Sequence, residues 1–159
     1  MKQCSICQLI TEKNDRSPIV YCNEEVVLWQ TMEFDLPGYL MIAPREHLVD
    51  YTQLPDKVGE QLFKTIQKAM AVLTQKYEAR KIYQCCFSEM TPHIHFHLFP
   101  RYDWMQEFYD AVHPGIDGVK LFSLVRQKCL IKDNLEKQQS LLEFVGRLKK
   151  EFAIGSVTE

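Results

Sequence analysis

The sequence predicts an α+β domain: a five-stranded antiparallel sheet with one long helix, followed by a C-terminal helical tail. Three observations predict it. Short runs rich in β-branched and aromatic residues lie between positions 19 and 43, separated by turn residues. From Pro55 to about Arg80, apolar residues recur every three or four positions. Residues 93–99 alternate imidazole with apolar side chains, the period of a strand.

Taken in order, residues 1–12 suit a short helix carrying Cys4 and Cys7. Ile19-Val20-Tyr21 and Val26-Val27-Leu28-Trp29 read as two strands joined by a turn at Asn23-Glu24. Phe34-Asp35-Leu36-Pro37-Gly38 is a turn, and Tyr39-Leu40-Met41-Ile42-Ala43 a strand ended by Pro44. Val58, Leu62, Ile66, Met70, Leu73 and Tyr77 form one apolar stripe on a helix for which Pro55 suits the first turn. Residues 81–87 and 93–99 supply the remaining strands, the last ended by Pro100. In the tail, Leu135, Leu141, Val145, Leu148 and Phe152 form a second stripe. Glu136, Lys137, Glu143, Arg147, Lys149 and Lys150 occupy its outer face, as on a helix packed on the domain or on a subunit partner. Residues 1–114 are expected to form the domain and 115–159 the extension.

Composition narrows the function. Nineteen Lys and Arg against 21 Asp and Glu leave a net charge of −2, which excludes a broad electrostatic grip on nucleic acid. No apolar run approaches the roughly 20 residues of a membrane helix. Met1-Lys2-Gln3-Cys4 opens no apolar signal segment. The six cysteines are then read as thiols or metal ligands in a reducing compartment, the cytoplasm.

The chain has five histidines, and three fall in Pro92-His93-Ile94-His95-Phe96-His97-Leu98-Phe99-Pro100-Arg101. At this composition chance gives such an alternating triple roughly one time in two hundred. On a strand all three rings would project from one face, His93 and His95 about 6–7 Å apart and His93 and His97 about 13 Å apart. That spacing is too long for three ligands of one ion, whose Zn–N bonds are about 2 Å. It suits an extended anionic substrate. A neutral His95 could attack through one ring nitrogen while an acceptor holds the proton on the other. A flanking histidine could donate to charge building on phosphate oxygens.

The alternating pattern resembles the motif of the histidine-triad (HIT) superfamily of nucleotide hydrolases and transferases. Pro37-Gly38-Tyr39-Leu40-Met41-Ile42-Ala43-Pro44-Arg45-Glu46-His47 resembles its upstream segment, and Cys4-Ser5-Ile6-Cys7-Gln8-Leu9-Ile10 the start of its bacterial members. The resemblance implies that His95 attacks the α-phosphorus of an AMP-containing nucleotide to give a nucleotidyl-histidine, with His97 contacting a non-bridging oxygen and His93 completing the triad. It implies an apolar base pocket at Ile6, Leu9 and Met32, and a homodimer. No organic cofactor is implied. Where many members carry histidine after Pro-Gly, this chain has Tyr39. Thr31 stands at the ribose-binding position, and Ser88-Glu89-Met90-Thr91 replaces the usual segment before the triad.

Cys4-x-x-Cys7 by itself is a weak metal signal. The resemblance to zinc-binding bacterial members adds His47 and His93 and makes a closed structural Cys₂His₂ zinc site. Cys22, Cys85, Cys86 and Cys129 read as ordinary thiols, and His113 as a loop residue. Two other functions stand beside the hydrolase. One is a metal-dependent enzyme using His93 and His95 as ligands with His47 or His113 as the third. The other is a nucleotide-binding protein of weak or no catalytic power.

Overall fold

The computed structural model describes residues 4–12, 17–108 and 117–153; His113 lies outside them. Along the chain run α1 (Ser5–Thr11), β1 (Ile19–Cys22), β2 (Val26–Gln30), β3 (Leu40–Pro44), α2 (Asp56–Lys76), β4 (Lys81–Cys85), β5 (Phe96–Arg101), α3 (Gly118–Lys128) and α4 (Leu135–Ala153), with 3₁₀ turns at Tyr51–Gln53 and Asp103–Phe108. The five strands form one antiparallel sheet in the order β1-β2-β3-β5-β4.

Local chemistry explains the joints. The Asn23 side chain accepts from the backbone N–H groups of Glu25 and Val26 at 3.0 and 2.8 Å, closing the β1–β2 turn. α2 stops at Lys76, short of Arg80, because Glu78 adopts φ +59° and the Ala79 N–H turns back to the Leu73 carbonyl. Gly38 takes φ +86°, and a β-carbon there would lie 2.6 Å from the Tyr102 hydroxyl and 2.8 Å from Leu73.

The sheet is covered on both faces. Leu28, Leu40, Ile42 and Leu98 point to one side, where Leu62, Ile66, Ala69 and Leu73 of α2 meet Phe144, Val145, Leu148 and Phe152 of α4. Their odd-numbered neighbours point to the other side. There Val27, Trp29 and Ala43 pack on Ile6 of α1, while Tyr39 and Phe99 pack on Leu121 and Val125 of α3. The tail stripe differs from its sequence reading at one end: Leu135 is 76% exposed and Phe144 is buried instead. Leu135 stands six residues from Leu141, about 240° around the helix, so it cannot share that face.

Two further differences bear on the site. β5 begins at Phe96, so His93 and His95 precede the ladder, and Pro100 lies within the strand opposite Ile82. β3 pairs with β5 only as far as Leu98, so Pro100 sits where β5 has a neighbour on one side alone. Helix α3 was not legible from the periodicity of the tail.

Candidate active site

The backbone of residues 93–95 is held by the Ile94 N–H, which donates to the Leu48 carbonyl at 2.7 Å. Off the ladder, the three imidazoles do not form a single row as the alternation predicted. The buried His93 ring turns toward α1, while His95 and His97 stay together with ring centroids 5.1 Å apart.

His95 Nδ1 lies 2.8 Å from the carbonyl oxygen of His93. A carbonyl only accepts, so Nδ1 carries a proton, and in the neutral ring Nε2 keeps its lone pair. His97 sits opposite Met41 and Cys85 in the sheet, and its Nδ1 lies 2.9 Å from the Tyr39 hydroxyl. Arg126 of α3 donates from Nη1 to that same hydroxyl at 3.1 Å. If the phenol accepted from both neighbours, its own buried proton would have no partner. The arrangement that gives the phenol proton a partner runs Arg126 to Tyr39 to His97 Nδ1, which places the proton of the neutral His97 ring on Nε2. Burial, helped by the nearby His95 and Arg126, holds the His97 pKa down at about 4, so the ring is neutral at physiological pH. Burial pushes the Tyr39 phenol well above its ordinary range.

Two cavities meet at His95. One, of about 340 Å³, is walled by Ile6, Leu9, Trp29, Met32 and Met41, with Thr31 at its edge. The other, of about 380 Å³, is lined by Tyr39, His97, Arg126, Ser88 and Thr91 together with Glu33 and Glu89. Ile6, Leu9, Thr31, Met32 and Tyr39, the residues that the sequence nominated for nucleotide contact, therefore line one or both of the cavities that His95 joins. A larger groove of about 780 Å³ runs along α4 and contains none of the histidines.

Cys4, Cys7, His47 and His93 form the second cluster, with all four candidate ligand atoms within 4.8 Å of one another. His93 Nδ1 lies 3.6 Å from Cys4 Sγ and 3.7 Å from Cys7 Sγ, and His47 Nδ1 lies 3.4 Å from Cys7 Sγ. A tetrahedron with Zn–S bonds near 2.3 Å and Zn–N bonds near 2.05 Å has S···N edges of about 3.6 Å. The donor set fits zinc in both chemistry and spacing. His93 Nε2 donates to the Pro44 carbonyl at 3.0 Å, which leaves Nδ1 free to face the thiols. His95 is not part of this cluster, so His93, His95 and His47 do not converge as ligands of one ion.

The HIT domain matches residues 12–104, well over half of the chain. The chain belongs to the HIT family. Solved HIT structures share its fold. A hypothetical histidine triad nucleotide-binding protein from Sulfolobus tokodaii is 13% identical at a TM-score of 0.65, covering 98% of this chain and 99% of its own. A HIT family member from Bacillus subtilis is 16% identical at 0.55, covering 99% and 100%. A zinc-bound histidine triad family protein from Mycobacterium smegmatis is 17% identical at 0.54, covering 93% and 96%. No curated protein sequence matches the chain.

Two residues of this HIT protein's site escaped the sequence reading. Gln30 is fully buried; its amide donates to the Thr31 and Leu36 carbonyls and accepts from the Gly38 N–H at 2.9–3.0 Å. It shapes the loop that presents Tyr39. Arg126 comes from α3, beyond the matched HIT segment. A signal for α3 exists in Asp117, whose side chain caps the Val119 and Lys120 N–H groups, followed by Leu121 and Val125 four apart.

Proposed function

We propose that this HIT protein is a nucleotide hydrolase that cleaves at the α-phosphorus of a dinucleoside polyphosphate or a nucleoside phosphoramidate and releases a nucleoside monophosphate. The observation that carries the reading is the His95 ring, fixed by its Nδ1–H bond to the His93 carbonyl where two cavities meet, an arrangement that reserves Nε2 of the neutral ring for phosphorus.

The apolar cavity of Ile6, Leu9 and Met32 takes the base, and Thr31 faces the ribose. His95 Nε2 attacks phosphorus; the N–P bond forms as the bond to the leaving group breaks, and that electron pair departs with the leaving group. His97 donates from Nε2 to a non-bridging oxygen as negative charge builds there. Water then attacks the same phosphorus, and the N–P electron pair returns to Nε2. One hydrogen of the water stays on the product as P–OH and the other passes to solvent.

Zinc, where bound, is structural: Cys4, Cys7, His47 and His93 complete a tetrahedron with no position left for substrate. The reading includes a homodimer, supported by the family resemblance, and a cytoplasmic setting, supported by the cysteine content. No helix among the described residues is long and apolar enough to cross a membrane.

The test is a brief exposure of the protein to α-labelled diadenosine tetraphosphate and to adenosine phosphoramidate, followed by mass measurement of its peptides. An adenylyl increment on the peptide carrying His95, absent in His95→Ala, is expected. Equal turnover by His95→Ala and wild type would reject the nucleophile.

A further inference from the structure

Arg126 enters the cavity from a helix outside the matched HIT segment. Its guanidinium lies 4.7 Å from the ring centroid of Phe34 and 5.2 Å from that of Phe122. Rings hold a cation without neutralising it. Glu33 and Glu89 line the same cavity, yet among the described residues no carboxylate is within ion-pair distance of Arg126. Of its five N–H donors, one is engaged among the described residues, by the Tyr39 hydroxyl. A clamped arginine with unengaged donors, in a water-accessible cavity shared with two histidines, has the chemistry of an anion site.

We infer that Arg126 makes the cavity beside His97 a subsite for an anionic leaving group, so that the enzyme favours nucleoside polyphosphates over phosphoramidates with neutral amine leaving groups. The inference rests on the reading that His95 attacks phosphorus. It follows from the position of the two cavities: with the nucleoside among Ile6, Leu9 and Met32, the remaining space touching His95 belongs to the departing group.

Proton balance points the same way. When the bond from the α-phosphorus to the bridging oxygen breaks, its electron pair stays on that oxygen, and the polyphosphate tail departs as an anion without needing a proton. An amine must take a proton to leave. Burial keeps the His97 ring neutral and the Tyr39 phenol reluctant to ionise, so neither is a ready acid. The cavity is equipped to receive charge rather than to supply a proton.

Diadenosine tetraphosphate and adenosine phosphoramidate share the adenylyl group and differ in what leaves. Their kcat/KM values are to be compared in wild type, Arg126→Ala and Arg126→Lys. Arg126→Ala is expected to lower the tetraphosphate value about 10- to 100-fold relative to the phosphoramidate value, with Arg126→Lys in between. The phosphoramidate rate reports on folding and on the Tyr39 contact. Equal losses on both substrates would overturn the subsite, because Arg126 would then act only through Tyr39. Should wild type turn over neither substrate, the hydrolase reading fails, and calorimetric titration with inorganic triphosphate decides the subsite. Binding that weakens at least 10-fold in Arg126→Ala upholds it; absent or Arg126-independent binding overturns it.

Discussion

Nδ1 of His95 is 2.8 Å from the main-chain oxygen of His93, while the His93 ring is 3.6 Å from the Cys4 thiol. The residue that aims the proposed nucleophile is thus itself a candidate metal ligand. The two clusters share the backbone at His93.

Metal content is the first consequence to measure. Purified protein is expected to carry about one zinc per chain by elemental analysis. Cys4→Ser/Cys7→Ser should lose the zinc and melt at least about 5 °C lower. Its loss of activity should fall mainly on kcat, through misalignment of His95. A metal-free wild type with an unchanged melting point after replacement of both thiols would leave only four clustered side chains.

Removing one oxygen from Tyr39 tests the tautomer of His97. In Tyr39→Phe, His97 Nδ1 loses its donor and Arg126 loses its acceptor. We expect kcat to fall about 10-fold with little change in melting point. Nitrogen-15 spectra should show the Nε2–H form of His97 in wild type and a mixture of tautomers in the variant. A pure Nε2–H form in both would show that Tyr39 does not set it.

The depressed pKa of His97 also ties stability to pH. The unfolded chain binds a proton near the ordinary histidine value of about 6.5, whereas the folded ring resists protonation until about pH 4. Below 6.5 the unfolded state therefore holds more protons, and stability falls as pH drops through that window. Between pH 7 and pH 5 the loss from this ring is about 2 kcal/mol. Urea midpoints of wild type should show that drop, and those of His97→Gln should show correspondingly less. Equal slopes in the two proteins would contradict it.

The extension is proposed to be separable in sequence but not in energy. Cutting after residue 114 removes α3 and α4, and with α4 the buried Phe144, Val145, Leu148 and Phe152. At about 2 kcal/mol per buried side chain, that is about 8 kcal/mol, comparable with the whole stability of a domain. A fragment of residues 1–114 should lack a cooperative melting transition. A sharp transition near that of the full chain would make residues 115–159 an appendage.

Much of this was legible because period and turn chemistry agree where a face is buried. The α2 stripe, the β1–β2 turn and the alternation that sends Leu98 inward all declare themselves locally. The triad misled in part for the same reason. Alternation promised a strand from position 93, but β5 begins at Phe96, and the Ile94 N–H between His93 and His95 donates to the Leu48 carbonyl rather than to a neighbouring strand. Arg126 was hidden because α3 shows only Leu121 and Val125 as fully buried positions. Its importance comes from where the tertiary fold delivers it, beside a tyrosine 87 residues earlier.

Ile6 and Leu9 wall a pocket, while the thiols of Cys4 and Cys7, at the start of the same short helix, lie beside the distant His93 and His47. Two unrelated demands fall on residues 4–9, so this stretch should tolerate exchange about as poorly as an interior strand.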